Sequence, residues 1–132
     1  MALAEAAIAA SSRRDAAAIA HGIAALTAAF GNRVVTSQAV REQHGNTLTW
    51  VPNQPPDAVV YPQTSEDVQT IVRICAKHGA PVIPFGVGTS LEGHVNAPQG
   101  GVTVDFRDMT RILAVHAEDL DCVVEPGITR KA

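Results

Sequence analysis

Between residues 84 and 94 the chain reads Pro-Phe-Gly-Val-Gly-Thr-Ser-Leu-Glu-Gly-His, and Gly100-Gly101 follow shortly after. Glycine lacks a Cβ, so it adopts positive φ and lets another molecule approach the main chain closely. Successive main-chain N–H groups in such turns converge into an anion-binding nest. The hydroxyls of Thr89 and Ser90 add donors. The chemistry on offer is a cradle for phosphate. Two familiar phosphate loops do not fit. A dinucleotide fingerprint needs G-x-G-x-x-G opening a helix, whereas Gly86, Gly88 and Gly93 are spaced G-x-G-x-x-x-x-G, and Val95-Asn96-Ala97-Pro98 does not begin a good helix. A P-loop carries Lys after its last glycine, and His94 stands there. A structural turn without a ligand is the competing reading, and the loop alone does not separate the two.

The remaining reactive side chains offer less. Glu92 and Asp105 read as isolated carboxylates, so the sequence gives no acid/base pair. His78 falls at a helix C-terminus, where partial positive charge is favourable. His94 reads as a polar rim residue, His21 and His116 have no acid or cysteine at ligand spacing, and His44 has no assignable role. Cys75 and Cys122 are too few and too far apart for a disulfide framework or a zinc site, so both are expected to be reduced and core-filling.

The glycine loop needs elements to hold it. Ala58-Val59-Val60-Tyr61 is a continuous apolar run stopped by Pro62, which predicts a buried strand. Thr64-Ser65-Glu66-Asp67 has the form of a capping box, and Val68, Ile71, Val72 and Cys75 repeat at helical spacing up to His78-Gly79. Val82-Ile83 is the next buried strand. This order predicts a right-handed βαβ unit whose two strands are parallel neighbours. Downstream, Val102–Phe106, Ile112–Val115 and Cys122–Val124 are separated by short polar stretches and predict antiparallel strands. The fold class is α+β: a helix, then a βαβ unit, then antiparallel strands.

Upstream of Asp57 the pattern is looser. Ser12-Arg13-Arg14-Asp15 resembles a capping box, and Ile19, Ile23, Leu26 and Phe30 line one helical face before Gly31-Asn32, predicting a helix over about residues 13–30. Val34-Val35, a helical turn from Ser37 and the proline cluster 52–56 make an irregular connection. The expected division is therefore an alanine-rich helical segment at 1–32, a connecting segment at 33–56 and the organised part at 57–132.

Composition bounds the partners. Of 132 residues 46% are apolar, but 22 are alanine and 14 of those fall in the first 30 residues, so the larger apolar side chains suffice for one modest core. Ten Lys+Arg against thirteen Asp+Glu give a net charge of −3, with no basic stripe to neutralise nucleic-acid phosphates. No apolar run is long enough for a membrane-spanning helix. Glu5 and Asp15 argue against a transit peptide, so a cytoplasmic protein is expected, with peripheral association with an inner membrane as the variant.

Several ordered stretches resemble the flavin-binding domain of FAD-linked oxidoreductases of the vanillyl-alcohol oxidase and p-cresol methylhydroxylase (PCMH) type. The likeness is greatest to the branch of D-lactate dehydrogenase (cytochrome) and the glycolate oxidase subunit. The stretches are Arg41–Gly45, Pro56–Val60, Pro81–Gly93, Gln99–Val102 and Val124–Ala132, and the resemblance covers about 100 of the 132 residues. It implies the N-terminal part of a PCMH-type FAD-binding domain. It further implies that Phe85, Gly86, Val87, Gly88, Thr89, Ser90 and Leu91, with Gly93, wrap the FAD pyrophosphate through main-chain N–H groups. Pro126 and Gly127 would approach the flavin. Where some relatives carry a flavin-linking histidine in this loop, Thr89 stands here, so non-covalent FAD is expected.

The implied reaction is oxidation of a 2-hydroxy acid, D-lactate above all, with hydride passing to the flavin and electrons onward to a cytochrome or quinone. The catalytic residues and substrate domain would lie downstream of this chain. Thr129 reads as an N-cap with three residues after it, which suggests a fragment, inactive alone. A non-catalytic nucleotide-binding module is the alternative. Gly88→Val is expected to block close approach while leaving the strands intact.

Overall fold

The computed structural model describes residues 14–131. Helix α1 (Ala16–Phe30) starts at Asp15, whose carboxylate accepts from the N–H groups of Ala17 and Ala18, and it ends at Gly31. The Ser12-Arg13 half of the expected capping box lies outside the described residues. A 3-10 turn (Gly31–Arg33) leads into β1 (Val34–Val35), and Ser37 precedes α2 (Gln38–Gly45). Then come β2 (Ala58–Val60), α3 (Ser65–Lys77), β3 (Val82–Phe85), β4 (Val102–Asp105), β5 (Ile112–His116) and β6 (Asp121–Val124). Helix α3 is capped as its sequence predicts, with Thr64 Oγ1 accepting from the Asp67 N–H at 3.1 Å.

Strands β1 to β4 form one sheet in the order β1-β2-β4-β3. Here the expected topology needs correction on two points. β2 and β3 are parallel but not neighbours, because β4 is inserted between them and pairs in parallel with both. β4 is therefore not part of an antiparallel run; only β5 and β6 form an antiparallel hairpin, in a separate two-stranded sheet. The physical reason lies in the burial of β4. All four of its residues are buried, as befits a central strand covered on both faces, whereas the Val-Thr-Val-Asp alternation reads as a half-exposed one. The long connection over residues 86–101 is the crossover that two parallel neighbours require.

Alternation along the strands divides the sheet into two faces. On one face Val60, Val102 and Val104 pack with Ile19, Leu26 and Phe30 of α1 and Ile71 and Cys75 of α3. β1 joins the same sheet through β2, and Val34 packs against the core that Ile19, Leu26 and Phe30 share with the strands. Thr103 and Asp105 point to the other face, where Asp105 meets His44 of α2. Cys75 is buried in the core between α1, α3 and the sheet, as expected, but Cys122 is exposed on β6, not core-filling. The hairpin stands in solvent and has no second layer among the described residues.

Candidate functional site

The parallel strands β3 and β4 both end at the same edge of the sheet. Just outside it lies a cleft of about 490 Å³, lined by Gln43, His44, Asn46, Phe85, Gly86, Val87, Gly88 and Arg107. Such a crevice beyond the carboxyl ends of parallel strands is where open α/β sheets hold ligands. Of the residues singled out from the sequence, the structure brings Phe85, Gly86, Val87 and Gly88 to its wall. Thr89, Ser90, Leu91 and Gly93 continue along the crossover beyond the lining.

The two leading glycines differ in their surroundings. Gly88 has φ +73°, and a Cβ there would sit 2.7 Å from Cζ of Phe85. The chain itself needs glycine at this position. Gly86 has no such need: a Cβ built on it meets nothing within 4 Å and would project into open space. Among the described residues, no carbonyl of the chain accepts from the N–H groups of residues 86–92, and the Thr89 and Ser90 hydroxyls have no protein partner. A bare main chain with unengaged donors at the mouth of a cleft is the arrangement an anion nest requires.

The far end of the crossover is anchored. Asn96 Nδ2 donates to the carbonyls of Pro52 (2.8 Å) and Gly45 (3.4 Å), and the Ala97 N–H donates to Gln54 O. Gly127 lies elsewhere. A Cβ on it would collide with Phe106 O and lie 2.8 Å from Met109 O, and its N–H donates to Met109 O. Pro126-Gly127 thus folds over the turn that follows β4, outside the lining of the cleft.

Beneath the cleft lies a polar network that the sequence did not reveal. His44 and Asp105 are each only 1% exposed, with His44 Nε2 2.9 Å from Asp105 Oδ2 and Nδ1 2.7 Å from Val40 O. Both ring nitrogens therefore face oxygen atoms of the chain. Asp105 also accepts from Arg107: from its main-chain N–H (2.9 Å), Nε (2.9 Å) and Nη2 (2.6 Å). The Arg107 guanidinium lies 4.8 Å from the Tyr61 ring centroid, and the Phe85 ring lies 4.5 Å from that of His44.

Asp105 is thus not isolated, contrary to the sequence reading. Burial pushes its carboxyl upward, but the hydrogen bonds from His44 and Arg107 outweigh that and hold it below the ordinary carboxylate range. Burial raises the Tyr61 phenol, against the opposing charge of Arg107. The available sequence clue was Asp-x-Arg at 105–107 directly after an apolar strand. His44, 61 residues away from Asp105, carried no local clue. His116 also differs from expectation: its Nδ1 meets Asp121 Oδ1 across the hairpin at 2.5 Å. Among the described residues no cluster of three metal-ligating side chains exists.

The arrangement defines a class first: an α+β module with a glycine-rich crossover of unengaged main-chain N–H groups at the ends of parallel strands. A family model described as an FAD binding domain matches residues 56–132. The chain belongs to that family, and its cofactor is FAD. It is 48% identical over 99 residues to "Probable D-lactate dehydrogenase, mitochondrial" of Danio rerio, covering 75% of this chain and 20% of that protein. It is 37% identical over 73 residues to "Glycolate oxidase subunit GlcD" of Bacillus subtilis, covering 55% and 16%. Among solved structures, p-cresol methylhydroxylase with substrate bound superposes with a TM-score of 0.76 at 24% identity, covering 87% of this chain and 23% of that one. That likeness shows a shared fold. The chain spans about a fifth of the length of the D-lactate dehydrogenase relative.

The features of the cleft fit FAD. Its pyrophosphate is an anion, and the open position at Gly86, the unengaged N–H groups and a guanidinium in the lining suit one. Among the described residues no helix is long and apolar enough to cross a membrane.

Proposed function

We propose that this chain is the pyrophosphate-gripping part of an FAD-dependent D-2-hydroxyacid dehydrogenase acting on D-lactate. The observation that carries the reading is the glycine-rich crossover at the ends of β3 and β4, with N–H groups 86–92 free of main-chain partners, in a chain of the FAD binding domain family. The 48% identity to a D-lactate dehydrogenase supports the substrate. In this reading Phe85 to Leu91 and Gly93 wrap the pyrophosphate, and Pro126 and Gly127 approach the flavin from the turn after β4. Bound FAD supplies the two-electron acceptor for the hydride of the 2-hydroxy acid, and a cytochrome or quinone takes the electrons on. Thr89 offers no ring nitrogen for a flavin link, so the cofactor is held non-covalently.

The chain's own task is binding. His44 and Asp105 are engaged with each other, Val40 and Arg107, which leaves neither free to take a substrate proton. A binding module without catalysis is the second reading, and the same observation favours it for the isolated chain. FAD titrated into the purified chain should show saturable quenching of flavin fluorescence, with all flavin released by denaturant. In the enzyme that carries this segment, D-lactate should bleach the flavin absorbance in the absence of an acceptor. No quenching overturns the FAD grip. Quenching without bleaching by D-lactate or another D-2-hydroxy acid leaves the module.

A further inference from the structure

We propose that Arg107 is a phosphate-binding residue of the cleft and sets its preference for doubly charged diphosphate ligands. The inference rests on the FAD reading above. Among the residues lining the cleft, Arg107 carries the one permanent charge, facing the same space as Gly86, Val87 and Gly88. Its guanidinium is fixed on two sides. Nε and Nη2 both donate to Asp105 Oδ2, and the Tyr61 ring lies 4.8 Å from Cζ. A guanidinium has five N–H donors, so those two bonds leave three, on a side chain still 53% exposed.

Asp105 engages one edge of the guanidinium only, through Oδ2, and that same oxygen also lies 2.9 Å from His44 Nε2, beside Phe85, where the glycine loop begins. Asp108 is a further carboxylate acting on Arg107. Main-chain N–H groups bind anions largely by direction, whereas a pre-positioned guanidinium adds charge and a planar fork that matches phosphate oxygens. The division of labour is that the nest gives shape and Arg107 gives charge.

The test compares the unsubstituted chain with Arg107→Gln and Arg107→Lys, using FAD, ADP and adenosine as probes at about 0.01 and 0.1 M ionic strength. ADP carries the diphosphate without the flavin, and adenosine carries neither. Arg107→Gln is expected to weaken FAD and ADP binding about tenfold, to flatten the loss of affinity with salt, and to leave adenosine unchanged. Arg107→Lys keeps the charge and should keep the salt dependence. Thermal unfolding of each variant reports whether the fold survives; if Arg107→Gln does not fold, the lysine variant carries the test, and loss of salt dependence in it overturns the proposal. FAD and ADP binding equally well to Arg107→Gln overturns the role of Arg107 alone. Failure of the unsubstituted chain to bind either ligand overturns the FAD reading itself.

Discussion

At Gly86 and Gly88 a methyl-sized addition has opposite consequences, and the difference makes an experiment. Gly88→Val places a β-branched residue at φ +73° against the Phe85 ring, a strain of roughly 1–2 kcal/mol from the backbone alone. It should lower the melting temperature whether or not a ligand is present, so it cannot report on ligand approach as the sequence had suggested. In Gly86→Val the first carbon of the new side chain meets no atom of the chain within 4 Å. The substitution should change stability by no more than about 0.5 kcal/mol while weakening FAD binding at least tenfold. Equal FAD affinity in Gly86→Val, measured by fluorescence titration, would remove Gly86 from the cradle. The glycines were legible in the sequence as a loop that something approaches. Which glycine the chain itself requires was not, because that depends on where the Phe85 ring lies.

At the scale of elements, the helices were the most legible part. The repeat Ile19, Ile23, Leu26, Phe30 and the repeat Val68, Ile71, Val72, Cys75 each fall on a helix, and these helices bury Leu26, Ile71 and Cys75 fully. Burial also pushes the Cys75 thiol up to about 11, which makes it an unreactive core side chain. Thr64 holds the start of α3 through a single side-chain bond to the Asp67 N–H. Thr64→Ala should therefore cost about 1 kcal/mol, read as a lower urea midpoint with unchanged slope, and an unchanged midpoint would show that the cap adds nothing. The strands were legible individually but not in their order. Apolar runs reveal that β2, β3 and β4 are strands; nothing in Val102–Asp105 tells which neighbours it will have, because its partners lie 20 and 44 positions away.

Over the whole molecule, carboxylates are the groups that link charge to stability. Asp67 is held below its ordinary value chiefly by the hydrogen bond from Arg33, Glu125 chiefly by that from Arg111, and Asp105 by His44 and Arg107 against the effect of burial. A carboxyl whose folded pKa lies below its unfolded value contributes stability above the unfolded pKa, about 4, and loses it as pH falls through the folded value. Glu125 bonds to Arg111, which is largely in solvent, and Asp67 and Arg33 are both partly exposed, so salt screens both pairs. Asp105, 1% exposed, should dominate. The melting temperature is expected to hold steady above about pH 5 and to fall steadily below about pH 4. Asp105→Asn should start lower and show a shallower fall, and a fall as steep as that of the unsubstituted chain would assign the acid response elsewhere. The net charge of −3 was readable from composition, yet it says nothing of this dependence, which comes from one buried carboxylate.

The position of β4 also sets an order of events in time. β2, α3 and β3 are complete in the chain by residue 85, yet β2 and β3 share no hydrogen-bonded ladder, and the strand that joins them arrives only with residues 102–105. Closing residues 86–101 into the crossover and completing the sheet are therefore one step, with the loop-closure entropy met only when both ladders form. The cleft beside Phe85–Gly88 has no existence before that step. Under the proposed grip on FAD, a ligand held there would bind only chains whose central strand is already in place, so its occupancy would report completion of the sheet and stabilise the finished fold by mass action.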